Sequence, residues 1–133
     1  MVTITEEERN LETAFRKVLS NHELYREDHY VRAIILKGSV QFQYKRSPSM
    51  MESRGGTRVD LEIKGDTADI FQFDIEKGKR RQGHGRTLYE IIENFCREFG
   101  CKRIVTAPSG QGHHFWPEIG FKPSSGNMAE KRI

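Results

Sequence analysis

Residues 67–107 constrain the fold more tightly than any other part of the chain. "TADIFQFDIE" alternates apolar and polar side chains as a half-buried strand does, and this period breaks off at Gly78. From Leu88 the apolar positions are Leu88, Ile91, Ile92, Phe95 and Phe99, one face of a helix that Gly100 ends, and "KRIVTA" follows as a strand. The pattern predicts a strand over 67–76, a helix over 86–99 and a second strand at 102–107. Such a unit is a right-handed crossover between parallel strands, and its first loop sits at the carboxyl end of a strand, where open sheets bind ligands.

That loop is "KGKRRQGHGR", Lys77 to Arg86. Gly83 and Gly85 let a ligand approach the backbone, and the amides that open the following helix point outward unpaired, so an anion would satisfy them. Lys77, Lys79, Arg80, Arg81 and Arg86 stand within ten residues that contain no acid. This is enough charge to neutralise a diphosphate and a further phosphate. Glycines alone would fit a solvated basic turn equally well; their coincidence with a helix start and a cation cluster favours an anion site. A Walker loop is excluded because no glycine-lysine-serine/threonine follows. The dinucleotide fingerprint fails because the preceding strands are hairpin-linked and no third glycine is correctly spaced.

The rest of the chain supplies the frame. Thr5 and Glu8 form a capping-box pair, and Leu11, Ala14, Phe15, Val18 and Leu19 recur at helical spacing until "SN" stops them. "YVRAIILK" and "SVQFQYKR" flank Gly38, while "RVDLEIK" and "ADIFQFDIE" flank "GDT", so four consecutive antiparallel strands are expected. Ser47 to Thr57 has no period and reads as a loop. A length of 133 residues fits one domain, 1–133, and 31% charged residues with a negative mean hydropathy predict a soluble chain. The longest apolar run, "AIIL", is far below the roughly 20 residues of a membrane span, and "MVTITEEERN" has no apolar signal core, so a cytoplasmic protein without membrane contact is expected. Cys96 and Cys101 lack metal spacing and read as reduced core thiols. A net charge of +3 is too small to declare a nucleic-acid binder.

"RRQGHG", Arg80 to Gly85, resembles the Arg/Gln-x-x-Gly-x-Gly/Ala signature of the GNAT superfamily of N-acetyltransferases, and "FWPEIGFKP", Phe115 to Pro123, resembles its later motif ending in glycine-phenylalanine. The resemblance covers about residues 67–123; earlier residues match only in general layout. It implies an α/β (α+β) fold with a mixed, mainly antiparallel sheet splayed at its centre, flanking helices, and acetyl-coenzyme A as cosubstrate. Carried over residue by residue, Arg80, Arg81, Gln82, Gly83, His84, Gly85 and Arg86 would form the diphosphate loop, and Ile75 and Glu76 would offer backbone groups to the pantetheine arm. No metal is implied.

The chain departs from the family at three places. Where members place an asparagine at the head of the helix after "IVTAP" and a tyrosine that protonates the leaving thiolate, this chain has Ser109 and Trp116. These two positions remain candidate cofactor contacts, but indole supplies no proton at a useful pKa. Pro117 would cut or start the short helix there. The family commonly sets two helices between its first and second strands, whereas here the clear helix precedes every clear strand; either "VTI" at 2–4 is a first strand or the front is rearranged.

Acid and base candidates are therefore judged from position. A strict two-residue period over 67–76 puts Asp69 on the face of Phe71, Phe73 and Ile75, where desolvation would raise its pKa toward that of a general base; an edge or turn carboxylate is the plainer reading. His113 and His114 in "GQGHHFW" would lie near the thioester as proton relays, or as ordinary solvated loop histidines. His84, His113 and His114 make a poor metal set, lacking a spaced carboxylate or thiolate. The expected activity is transfer of an acetyl group to a primary amine of unknown identity, on a small molecule or a protein, by a monomer or homodimer. Two rival readings stand beside it: a coenzyme A-binding protein without catalysis, and a basic nucleic-acid module. The second is disfavoured by the lack of stacking aromatics within the basic run.

Overall fold

A computed structural model describes residues 3–49, 55–80, 82–108 and 112–133, without the side chains of Lys77 and His113. Helix α1, Glu6–Leu19, begins where the chain can satisfy its own end groups. Thr5 Oγ1 accepts from the Glu8 amide at 3.1 Å, and Glu8 Oε1 accepts from the Thr5 amide at 3.0 Å. The other Glu8 oxygen accepts from the Ile35 amide at 2.8 Å, which ties α1 to the first strand. Val2 lies outside the described residues and Thr3 to Thr5 belong to no strand, so the described front of the chain has one helix before its first strand.

The strands are β1 (Tyr30–Leu36), β2 (Ser39–Lys45), β3 (Arg58–Lys64), β4 (Thr67–Asp74), β5 (Arg103–Thr106), β6 (Lys122–Pro123) and β7 (Ala129–Arg132). Helix α2, His84–Phe99, joins β4 to β5, and the short α3, Gly112–Glu118, precedes β6. Among the described residues they form one seven-stranded sheet in the order β1-β2-β3-β4-β5-β7-β6. Among the described residues only β4 and β5 pair in parallel. The expected run of four antiparallel strands is β1 to β4, turned at Gly38 and Gly65, both with positive φ.

Register sorts the side chains onto two faces. Ala33, Phe42, Leu61, Ile70, Thr106 and Ala129 lie in one cross-strand row and are all buried. The helices pack on this face: Phe15 of α1, Phe42 of β2 and Phe95 of α2 meet with ring centroids 5.0–5.1 Å apart, each ring worth about 1.5–3 kcal/mol of burial. The row on the opposite face runs Ile34, Gln41, Glu62, Asp69, Val105, Glu130 and is half-exposed. Gly100 closes α2 at φ +107, and the Cys101 amide returns to the Cys96 carbonyl at 2.9 Å. Both thiols are buried and free.

Two boundaries differ from expectation. Strand β4 stops at Asp74 because residues 77–79 close a single 3₁₀ turn. Helix α2 starts at His84, two residues before the first periodic apolar position suggested, so Gly85 lies inside its first turn. Pro117 does not cut α3, which runs on to Glu118. In a helix of seven residues a proline removes at most one i→i−4 bond, and the packing of Trp116 holds the segment.

Candidate active site

The sheet opens between its two parallel strands. The β4–β5 ladder ends at the pair Ile70 and Thr106, while β4 continues to Asp74 paired with β3 alone. At this vertex Thr106, buried, donates from Oγ1 to the Ile70 carbonyl at 3.0 Å. Beyond it, the β5-facing edge of Phe71 to Asp74 has no ladder partner among the described residues. The resulting cleft measures about 840 Å³, a volume that suits a ligand much larger than an amine. Its strand wall is Ile70 to Ile75, its vertex Thr106 and Ala107, and its roof His114, Phe115, Trp116 and Glu118 of α3. Arg80, Gly83, Gly85 and Arg86 close the other end.

The two glycines of that end serve different needs. Gly83 is the N-cap of α2 in the left-handed region, φ +83, and offers no capping side chain. Gly85 has ordinary helical geometry but no room: a Cβ there would stand 3.3 Å from the Phe115 ring and 3.7 Å from Ile75 Cγ1. The amides of His84, Gly85 and Arg86 precede the first i→i−4 bond, from the Thr87 amide to the Gly83 carbonyl at 3.1 Å, so they are the orphan donors of a helix start. Arg80 donates from Nε to the Ile75 carbonyl at 3.0 Å, which folds the basic loop back on the end of β4. Gln82 and His84 line the cleft with neither side chain; their side chains meet each other, His84 Nε2 standing 3.3 Å from Gln82 Oε1. The Glu76 amide donates to Thr57 Oγ1 at 3.2 Å. Arg81, Ser109 and the side chain of His113 lie outside the described residues.

Asp69 does not share a face with Phe73. Register shifts between Asp60 and Leu61: Leu61 pairs with Ile70 and Asp60 with Gln72, so Phe71 is one residue too many. This bulge reverses the alternation. Phe73 falls opposite Val59 on the core face, Phe71 turns outward at 61% exposure, and Asp69 stands on the far face opposite Glu62 and Val105. Burial, and then the Glu62 carboxylate, still push the Asp69 carboxyl above its usual range. Asp69 sits one residue before the vertex but does not line the cleft; the lining carboxylates are Asp74, which accepts from the Gln72 amide, and Glu118.

Trp116, where a tyrosine acid was sought, is 5% exposed and belongs to an aromatic cluster with Phe73, Phe115, Tyr89 and Phe121 at centroid distances of 4.9–6.0 Å. Trp116→Ala should therefore cost about 3–5 kcal/mol of stability in urea titrations, whereas a peripheral contact would cost little. Phe115 stacks on Phe73 at 5.6 Å and 20°.

A strand pair that parts beyond a parallel vertex, with a glycine-bounded helix start at the end of the gap, is the arrangement that the resemblance implied. The sequence profile of the Acetyltransferase (GNAT) family matches residues 38–121. The chain belongs to the GNAT acetyltransferase family.

Solved structures agree on the fold. An acetyltransferase from Bacillus cereus ATCC 14579 superposes at TM-score 0.55 with 14% identity, covering 100% of this chain and 96% of that one. PaiA N-acetyltransferase from Thermoplasma acidophilum, solved with coenzyme A, gives TM-score 0.55 and 17% identity over 72% of this chain and 62% of its own. The tandem GNAT protein of the clavulanic acid biosynthesis pathway gives 0.54 and 20% over 69% of this chain, which spans only 31% of its length. No curated protein matches the sequence. Among the described residues no three metal-ligating side chains gather, and no helix is long and apolar enough to cross a membrane.

Several cleft residues escaped the sequence reading. Gln72 and Thr106 have no motif of their own, and the register of β4 against β3 and β5 brings them to the cleft, while Phe115 and Glu118 stand in the quoted glycine-phenylalanine motif without a role of their own there.

Proposed function

We propose that this GNAT protein is a cytoplasmic, single-domain N-acetyltransferase, spanning 1–133, that moves an acetyl group from acetyl-coenzyme A to a primary amine by direct attack. The observation that carries the reading is the cleft beyond the Ile70–Thr106 vertex, closed at its far end by the amides and cations of the α2 start. The fit is chemical. Gly85 has its ring-packed backbone bare toward the cleft, and Arg80 and Arg86 line the same end. These groups, with Arg81, would hold the diphosphate, while Gln82 and His84 shape the loop. The free β4 edge from Phe71, together with the Ile75 carbonyl where Arg80 releases it, would pair with the amide-bearing arm; Glu76 contributes through the strand end held by Thr57. Ser109, which the resemblance puts in the asparagine's place, and the cleft-lining Trp116 would complete the contacts.

The thioester of acetyl-coenzyme A supplies an activated acyl group; this chain orients it, takes a proton from the amine and returns one to the thiolate. Unpaired amides of β4 near the bulge would stabilise charge on the carbonyl oxygen. Asp69, its carboxyl pushed upward beside the vertex, would accept the ammonium proton. His114, exposed and lining the cleft, is the described group that could deliver a proton to sulfur, with His113 as its neighbour.

Burial of Trp116 in the acid's place favours a second reading, a coenzyme A-binding protein without turnover. Release of free thiol from acetyl-coenzyme A, followed against a panel of small amines and lysine peptides, separates the two. Amine-dependent release is expected. Retained coenzyme A in intact-complex mass spectrometry without any release would establish the second reading, and absence of both would remove coenzyme A from the site.

A further inference from the structure

We propose that His22 is a positioning residue for the diphosphate loop, pinning the first turn of α2 from across the fold through the His84 carbonyl and the Thr87 hydroxyl. The inference rests on the coenzyme A reading above. Its starting point is a missing part: Gly83 occupies the N-cap of α2 with no side-chain cap, so the helix lacks the serine, threonine or aspartate that ordinarily fixes a first turn. His22 supplies such a restraint from elsewhere in the fold.

His22 lies in the turn after α1 and is 5% exposed. Its backbone is set by bonds from its own amide to the Leu19 carbonyl at 2.9 Å and from the Tyr25 amide to its carbonyl at 3.1 Å. The Leu24 amide can only donate, and it points at His22 Nδ1 at 3.2 Å. Nδ1 is therefore an acceptor, and the ring is neutral with its proton on Nε2. Nε2 stands 3.0 Å from the His84 carbonyl and 2.9 Å from Thr87 Oγ1. The Thr87 hydroxyl in turn donates back to the carbonyls of His84, at 3.1 Å, or Gly83, at 3.3 Å. One imidazole thus holds His84 and Thr87, on either side of the cleft-lining Gly85 and Arg86.

The groups facing His22 are His84 and Thr87 of α2, with Glu23 beside it in its own turn. The Glu23 carboxylate lies 2.9 Å from His84 Nδ1, drawing the loop's histidine toward the same turn. Burial holds His22 below the usual histidine range; the His84 carbonyl and the Glu23 charge oppose this and the His84 charge adds to it. A second proton would have to sit on Nδ1, against the Leu24 N–H.

The test is calorimetric titration of coenzyme A into the full chain and its variants, with amide NMR of the ligand-free proteins. Glutamine places its amide nitrogen near that of Nε2, and asparagine near that of Nδ1. His22→Gln should bind within about threefold of wild type, while His22→Asn and Thr87→Val should bind about tenfold or more weakly. In acetyl transfer these two should raise KM for acetyl-coenzyme A and leave kcat. The Gly83 and Gly85 amide resonances should move in His22→Asn and stay in His22→Gln, a readout that needs no ligand. Equal affinity and unmoved glycine amides in His22→Asn and Thr87→Val would overturn the proposal, as would equal losses in the Gln and Asn variants. A wild-type chain that ignores coenzyme A would overturn the parent reading instead, leaving the NMR arm to decide the clamp.

Discussion

Gly85→Glu should melt at the same temperature with and without acetyl-coenzyme A, while the wild-type chain should melt higher in its presence. At a ligand concentration about a hundred times Kd, one-site binding stabilises a fold by about 2.7 kcal/mol, and that entire increment should vanish. Two effects act together in the variant. The carboxylate carries negative charge to the cleft end where the α2 amides, Arg80 and Arg86 are proposed to receive a diphosphate. Its Cβ also stands 3.3 Å from the Phe115 ring, closer than most such contacts tolerate. Gly85→Ala separates them, because it keeps the steric contact without the charge: Phe115 is half-buried and its ring can yield a few tenths of an ångström. Alanine should weaken binding by less than about tenfold and retain most of the thermal shift. Circular dichroism should first establish that each variant is folded. Equal shifts in wild type and Gly85→Glu would take the loop out of the site.

What was legible in the sequence followed from periodicity and from glycine. Alternation located β1 to β4, the 3.6-residue period located α2, and Gly100 marked its end, because burial on one face writes itself into the local order of side chains. The helix start was misread by two residues since His84 and Gly85 carry no apolar signal, and a glycine N-cap leaves no capping residue to recognise. The bulge at Phe71 is harder to read. Register between β3 and β4 is a relation of two strands, yet it leaves a trace: the apolar positions are Ala68 and Ile70 before the extra residue and Phe71, Phe73 and Ile75 after it, so the adjacent pair Ile70–Phe71 marks the change of phase. The side of the sheet assigned to Asp69 failed there. His22 could not be found either: "NHELY" has no period, and its partners lie 62 and 65 residues away. Trp116 was noticed as a departure, yet only the packing of Tyr89, Phe73, Phe115 and Phe121 around it explains an indole at that place.

The bulge also sharpens the expectation for the general base. Asp69→Asn should lower the rate with a good amine by about 10²–10⁴-fold, the usual worth of a positioned base, and flatten the rising limb of the pH–rate profile. Affinity for coenzyme A should hardly change, because Asp69 faces away from the cleft end that carries the cations. Stability gives an independent check with a definite sign. The native carboxyl is held above its ordinary value of 3.8, first by burial and then by Glu62. The native state therefore binds more protons than the unfolded chain between 3.8 and the raised native value. Stability from this group is fully present below 3.8 and is lost as pH rises through that window. At neutral pH the asparagine variant should thus be at least as stable as wild type in urea while being the slower enzyme. A structural edge carboxylate would give no such rate loss. Asp74→Asn is the necessary companion, since Asp74 lines the cleft and accepts from Gln72. Loss of rate in Asp74→Asn with full rate at every pH in Asp69→Asn would move the base across the bulge to Asp74, and full rate in both would leave the proton to solvent.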